Sequence, residues 1–132
     1  MPLPLVDYHL SQLKNVLYWL NRAREENGLW RLERHPILDE VAQRHAFDMH
    51  HRNFYGHDNP EGLKPWDRTA AAGFGWSVGE NIAHGQSSGQ KVHESWMSSD
   101  GHRSNILSPR WNVVGLGLSW DCHWVQVFGS TP

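Results

Sequence analysis

The sequence predicts an α+β fold, because helical periodicity dominates the earlier part of the chain and strand periodicity appears only near its end. In the earlier part, apolar residues recur every three or four positions, as at Leu13, Leu17 and Leu20. Near the end, between positions 113 and 128, apolar residues alternate with small or polar ones. The 132 residues suit one domain, and we expect a single domain over 1–132, with eight tryptophans supplying bulk for its core.

Capping residues and apolar spacing together predict five helical segments. The first begins near Asp7 and ends at Asn27-Gly28, a pair typical of helix C-termini. The second begins at Pro36, because proline is favoured at the first position of a helix. The later segments are expected at 65–72, from 89 or 90 to 99, and at 102–107.

The end of the chain predicts a β-hairpin. Alternating residues from 113 to 120 and from 123 to 128 form its strands, and Asp121-Cys122 forms its turn. The preceding glycine-rich segment, from Gly73 to Gly85, is expected to be irregular or only briefly extended.

Charge and composition exclude several classes of function. The 12 Lys and Arg are outnumbered by 14 Asp and Glu, so the net charge of −2 disfavours a nucleic-acid binder. No apolar run approaches the ~18 residues of a membrane span. The first residues lack a basic segment followed by an apolar one, so we expect no secretory signal in this sequence. A single cysteine excludes an internal disulfide framework.

Three polar residues in the middle of the chain are candidates for a functional site. They are His57 in Gly-His-Asp-Asn-Pro, Glu80 in Gly-Glu-Asn-Ile and His102 in Gly-His-Arg-Ser-Asn-Ile. Each follows a glycine, where the backbone can turn sharply and be approached closely. Two imidazoles and a carboxylate are the protein ligands of an open zinc site. Their long spacing is no motif by itself, so a shared metal site and a set of structural polar groups both stay open.

Several short motifs occur in one order along the chain. They are HDNP at 57–60, GENIA at 79–83, SWMSS at 95–99, GHRSNIL at 101–107, GLG at 115–117 and WVQVFG at 124–129. In this order they resemble the CAP superfamily (cysteine-rich secretory proteins, antigen 5 and pathogenesis-related 1) in its bacterial SCP-like form. The resemblance covers nearly the whole chain. It implies a three-layer α-β-α sandwich with a central antiparallel sheet and a cleft, in a protein of the extracellular space or of a cell or virion surface.

The resemblance also implies a set of cleft residues. The family's cleft usually holds two histidines and two glutamates, and His57, Glu80 and His102 match three of them by motif. At the fourth position Ser99 replaces the carboxylate, because this chain has Trp-Met-Ser-Ser where many members have Trp-Tyr-x-Glu. Other carboxylates that could lie near the cleft, without a motif match, are those of Asp58, Glu61 and Glu94.

Zinc is the cofactor that the resemblance implies, because the two cleft histidines bind it in several members of the family. His57 and His102 would hold the ion. Glu80 would be a third ligand, an acceptor that orients an imidazole, or a base beside bound water. In the structural alternative, Glu80 pairs with histidine and backbone N–H groups and only shapes the loops.

These features favour a binding module over an enzyme, with a surface, lipid, glycan or protein partner that the sequence does not identify. The alternative is a zinc-dependent hydrolase of peptide, ester or cell-wall bonds, with His57, Glu80 and His102 as catalytic residues. Ser99 disfavours that alternative, because a separate general base is then missing. A lipid- or sterol-binding protein and a purely structural surface component are further alternatives. The sequence indicates no oligomeric state.

The remaining histidines and tryptophans are expected to have structural roles. His45 lies on the apolar face of the second helix and is expected in the core. His84, His93 and His123 flank the motifs and either line the cleft or are solvated, and we expect them to be solvated. Periodicity places Trp96, Trp120 and Trp124 in the interior, and the tryptophans expected to anchor loops are Trp30, Trp66, Trp76 and Trp111.

Overall fold

A computed structural model describes residues 6–132, and in this range the chain forms five helices and four strands. In chain order they are α1 (Asp7–Glu26), β1 (Glu33–Arg34), α2 (Pro36–His51), α3 (Pro65–Ala71), β2 (Val78–His84), α4 (Gly89–Met97), α5 (Asp100–Ile106), β3 (Val113–Leu118) and β4 (His123–Gly129). The predicted helices and the C-terminal hairpin are confirmed to within about two residues at their ends. The segment considered for a secretory signal begins with residues 1–5, which lie outside the described residues.

The four strands form one sheet in the order β1-β3-β4-β2. β4 pairs antiparallel with both β3 and β2, and the two-residue β1 pairs parallel with β3. The expectation for the glycine-rich segment was wrong in its second half, because β2 pairs with β4 over all seven of its residues. Its sequence, Val-Gly-Glu-Asn-Ile-Ala-His, hides the strand because buried polar side chains occupy positions where apolar residues would reveal an alternation.

Helices cover both faces of the sheet, which confirms the three-layer α-β-α sandwich. On one face, α1, α4 and α5 pack through Leu13, Leu20, Val92, Trp96 and Ile106 against Val114, Leu116, Trp124 and Phe128. On the other face, α2 packs through Leu38, Ala42, Ala46 and Met49 against Ile82, Val125 and Val127. The short α3 lies on this second face beside β2.

Helix α2 lies directly on the backbone of β3. A Cβ added to Gly115 would be 2.0 Å from the Leu38 carbonyl carbon, and one added to Gly117 would be 2.5 Å from that of Ala42. The Gln43 amide also bonds both backbone groups of Leu118, at 2.8 and 3.0 Å. This close packing fixes the position of α2, and therefore of the histidines along it, relative to the sheet.

Strand β2 forms one edge of the sheet, and side chains satisfy its free carbonyl groups. The Ile82 carbonyl accepts bonds from the Tyr55 hydroxyl at 3.2 Å and from Trp96 Nε1 at 3.0 Å. The Glu80 carbonyl accepts one from Asn105 Nδ2 at 3.3 Å. These bonds cap an edge that would otherwise offer free acceptors to another strand. The loop before α3 and the helices α4 and α5 therefore meet along this edge.

Two of the three tryptophans expected in the interior are buried, but most of those expected to anchor loops are exposed. Trp96 and Trp124 are buried as predicted, but Trp120 is 39% exposed because β3 ends at Leu118, before the alternation reaches it. Among the tryptophans expected to anchor loops, only Trp111 is buried. Among residues 6–132, no helix combines the length and apolar character needed to cross a bilayer.

Candidate functional site

Glu80 is the buried centre of the candidate site. It lies on β2, on the sheet face that packs against α2 and α3, and its side chain is only 1% exposed. Its Oε1 accepts a hydrogen bond from His57 Nδ1 at 2.8 Å, and its Oε2 accepts one from Arg68 Nη2 at 3.0 Å. A buried carboxylate is unfavourable unless it is paired and hydrogen-bonded. Both oxygens of Glu80 meet that condition.

The hydrogen bond to Glu80 fixes the ring orientation and the tautomer of His57. Because a carboxylate oxygen only accepts, Nδ1 must carry the proton, which leaves Nε2 as the nitrogen available to a ligand. The hydrogen bond to Glu80 raises the pKa of His57 above its ordinary value, although partial burial opposes the change. The His57 side chain is about half exposed, so its imidazole ring is accessible to solvent.

Arg68, on α3, ties the His57 loop to Glu80. Its Nη1 donates to the carbonyl oxygens of His57 and Leu63, both at 2.8 Å, while Nη2 bonds Glu80. No motif in the sequence marks Arg68 as a site residue. The only signal was its place in a short predicted helix that follows the His57 loop.

His45 supports the same loop from beneath. It is buried on α2, as expected, and its Nε2 lies 2.8 Å from the Gly56 carbonyl oxygen. Burial lowers the pKa of His45, so the ring is neutral and Nε2 must be the donor in this bond. His45 therefore fixes the residue immediately before His57.

His102 approaches the site from α5. Its backbone carbonyl accepts a bond from Asn81 Nδ2 at 3.1 Å, and Asn81 follows Glu80 on β2. Burial, and then the charge of His57, lower the pKa of His102 below its ordinary value. The lowered pKa favours the neutral form of His102, which is the form that binds metals.

A groove with a volume of about 480 Å³ runs along β2, and of the three predicted site residues His102 lines it, whereas His57 and Glu80 do not. Its lining consists of Tyr55, Ile82, Ala83, His84, Gln86, Ser95, Trp96, Ser99 and His102. Ser99, the residue at the family's fourth position, therefore shares the groove with His102.

Of the three carboxylates named as further cleft neighbours, two are paired with basic side chains and the third is exposed. Asp58 is bonded to Lys64 at 2.9 Å. Glu61 makes two bonds to Arg52, at 2.5 and 2.8 Å. Glu94 is exposed on α4.

A second group of ligand-capable side chains includes His84, which also lines the groove. Within residues 6–132, His84, Asp121 and His123 form a set whose ligand atoms all lie within 4.8 Å of one another; His57, Glu80 and His102 do not form such a set. The expectation of solvated histidines holds for His84 but is wrong for His93 and His123, which are buried.

Comparisons with known proteins give a consistent result. The sequence model of the "Cysteine-rich secretory protein family", CAP, matches residues 17–128. The chain is 34% identical over 117 residues to "Uncharacterized protein YkwD" of Bacillus subtilis (strain 168), covering 87% of this chain and 46% of that protein. It is 31% identical over 106 residues to "Uncharacterized membrane protein YlbC" of the same strain, covering 80% of this chain and 31% of that protein. The chain thus spans less than half the length of these relatives.

Solved structures match over nearly the whole chain. An extracellular protein containing an SCP domain from Bacillus anthracis str. Ames superposes with a TM-score of 0.89 at 28% identity, covering 97% of this chain and 45% of that one. An outer surface protein from Borrelia burgdorferi superposes with a TM-score of 0.86 at 19% identity, covering 100% of both chains. The second match shows the shared fold.

Proposed function

The chain belongs to the cysteine-rich secretory protein family, CAP, and we propose that it is an extracellular or surface-exposed binding module that binds a divalent metal, zinc, on His57 and His102 beside its groove. The extracellular location is supported by the Bacillus anthracis neighbour, which is described as an extracellular protein. The partner is a surface, lipid, glycan or protein ligand that approaches the groove along β2.

The observation that carries the proposal is the burial of the Glu80 carboxylate between two hydrogen-bonding partners. One of its oxygens is bonded to His57 and the other to Arg68, and the side chain is only 1% exposed, so little of the carboxylate is open to a metal ion. Of the three roles open to Glu80, orientation of His57 therefore fits best. Carboxylates commonly orient metal-binding histidines in this way, through the ring nitrogen that does not bind the metal.

The two imidazoles suit a zinc ion chemically. His57 offers Nε2 because its proton is fixed on Nδ1, and the lowered pKa of His102 keeps that ring neutral. Two histidine ligands leave positions open for water or for a group of the partner. When bound there, zinc would act as a Lewis acid toward an oxygen atom of that group.

Hydrolysis is the second candidate, and the contact between His57 and Glu80 is the observation that favours it. An imidazole oriented by a buried carboxylate is also the arrangement of a general base. The bonds open to attack would be peptide, ester or cell-wall bonds held in the groove. Ser99 favours the binding module instead, since it brings no second carboxylate to the groove.

Zinc titration by calorimetry near pH 7.5 tests the proposal. We expect wild type to bind zinc, and the His57→Ala plus His102→Ala double variant to lose one binding event. His51→Ala is the matched control, because His51 is an exposed histidine outside both groups of residues. Unchanged binding in the double variant would exclude this metal centre.

Turnover assays separate the two candidates. The zinc-loaded protein is offered peptide, ester and glycan substrates, with the double variant as the blank. A binding module shows no turnover that depends on His57 and His102. Turnover that the double variant loses would instead establish the hydrolase.

A further inference from the structure

We propose that His84, Asp121 and His123 form a second site for a divalent transition metal of the zinc class, separate from His57 and His102. The two sets share no side chain. The proposal rests on the geometry of the second set and does not require the first to bind metal.

The register of the sheet brings the two histidines together. His84 ends β2, His123 begins β4, and they are paired residues in the antiparallel ladder, so their side chains leave the same face. Their rings stack with centroids 3.8 Å apart and planes inclined by only 4°. Two imidazoles are therefore held side by side at the end of the sheet.

Asp121 supplies the carboxylate from the turn between β3 and β4. The turn is tight, with Cys122 at a φ of +63°, and it points the Asp121 side chain back at the histidines. Its Oδ1 accepts bonds from Ser119 Oγ at 2.6 Å and from His123 Nδ1 at 2.7 Å. Partial burial on its own would raise the pKa of Asp121, but hydrogen bonds from Ser119, His123 and His50 bring it far below its ordinary value, so the group is a carboxylate.

The gap between His84 and Asp121 has the dimension of a bridging ion. His84 Nε2 lies 4.0 Å from Asp121 Oδ2, which is too long for a hydrogen bond. Zinc lies about 2.0–2.2 Å from nitrogen and oxygen ligands, so a tetrahedral ion would draw these two atoms together to a separation of about 3.4 Å, a closure of roughly 0.6 Å. The side chain of His84 is 47% exposed, so it can turn from its present contact with the Asp121 carbonyl oxygen.

His50 completes the arrangement from the last turn of α2. Its Nδ1 lies 3.1 Å from Asp121 Oδ2. Carboxylates that bind metals are commonly held by such an outer hydrogen bond. His123 Nδ1 now donates to Asp121 Oδ1, so an ion bound through these two atoms would replace that hydrogen bond. Two imidazoles and one supported carboxylate would then make a three-ligand site with an open position, and imidazole nitrogen favours zinc, copper or nickel over magnesium or calcium.

The test removes the first site and titrates the second. In the full chain carrying His57→Ala and His102→Ala, we expect Zn²⁺ to bind one to one near pH 7.5. Adding His84→Ala to this chain is expected to weaken binding by about tenfold or more, and His51→Ala is expected to change nothing. The exposed position of His84 makes its substitution compatible with the fold, which circular dichroism checks.

A spectroscopic readout locates the ion without relying on affinity alone. In the same double variant, Zn²⁺ should shift the imidazole nitrogen resonances of His84 and His123 and leave those of His93 in place. Failure of the double variant to bind Zn²⁺, or binding that His84→Ala leaves unchanged, would overturn the second site. If wild type binds no zinc at His57 and His102 but the double variant still binds zinc at His84, only the proposed function is contradicted.

Discussion

Replacing Glu80 by glutamine tests how the site is organised, because the substitution keeps the shape of the side chain and removes its charge. The two oxygens of Glu80 accept from His57 Nδ1 and from Arg68 Nη2. Glutamine offers one acceptor oxygen and one donor NH₂ group. If its oxygen stays on Arg68, its NH₂ faces His57, and His57 must move its proton from Nδ1 to Nε2 to accept the bond. The nitrogen that the proposal assigns to zinc is then protonated.

The expected magnitudes follow from burial. Breaking a buried ion pair by removing one partner costs about 3–5 kcal/mol. The Arg68 side chain is 12% exposed and keeps its bonds to two carbonyl oxygens, so we expect the lower end, about 3 kcal/mol. Loss of a residue that orients a metal-binding histidine typically weakens metal binding by about 10–100-fold. We expect Glu80→Gln to weaken zinc binding within that range.

Three measurements check this prediction. Denaturant unfolding gives the stability, calorimetry gives the zinc affinity, and imidazole nitrogen NMR gives the tautomer and the pKa of His57. We expect the pKa of His57 to fall in Glu80→Gln, because the contact that raises it in the wild type has lost its charge. Glu61→Gln is the control, since Glu61 is exposed and pairs only with Arg52 among the bonds described. Unchanged zinc affinity together with an Nδ1–H tautomer in Glu80→Gln would refute the reasoning.

Three further predictions address the scaffold. Gly115→Ala should destabilise the fold by about 3 kcal/mol or more, because the added Cβ would clash with the α2 backbone. Gly101→Ala on α5 is the control and should be neutral or stabilising, because nothing lies within 4 Å of its Cβ. Equal unfolding midpoints of the two variants would contradict the packing described. Burial lowers the pKa of His93, so below about pH 6.5 the unfolded chain binds more protons than the folded one and the wild type loses stability. His93→Phe should therefore show a smaller fall in Tm between pH 7.5 and 5.5 than wild type. The same dependence of Tm on pH in both proteins would count against this. His45→Phe should cost about 1–3 kcal/mol by leaving the Gly56 carbonyl unpaired, and denaturant unfolding as stable as wild type would show that the bond is dispensable.

Local signals in the sequence accounted for most of the fold. Pro36 marks the start of α2, and Gly28, at a φ of +74°, follows the end of α1, so backbone preferences alone locate both boundaries. The hairpin follows from its alternation and turn. β2 could not be predicted in this way, because Glu80 and Asn81 are buried through hydrogen bonds that only tertiary contacts reveal.

The sequence predicted only those site residues that lie within recognisable motifs. The motifs pointed to Glu80 and His57, which the structure joins at 2.8 Å, but they gave no signal for Arg68, whose role depends on where α3 packs. The second histidine group escaped prediction for a different reason. His84 and His123 are distant in sequence and meet only through strand register, and periodicity does not specify which strands pair.

Anomalous diffraction at the zinc edge, from crystals of the full chain loaded with Zn²⁺, tests the central claim most directly. The proposal predicts a peak about 2.0–2.1 Å from His57 Nε2 and from an imidazole nitrogen of His102, with Glu80 still bonded to His57 Nδ1. A map without that peak, or an ion bound directly to the Glu80 carboxylate in place of Arg68, would contradict it.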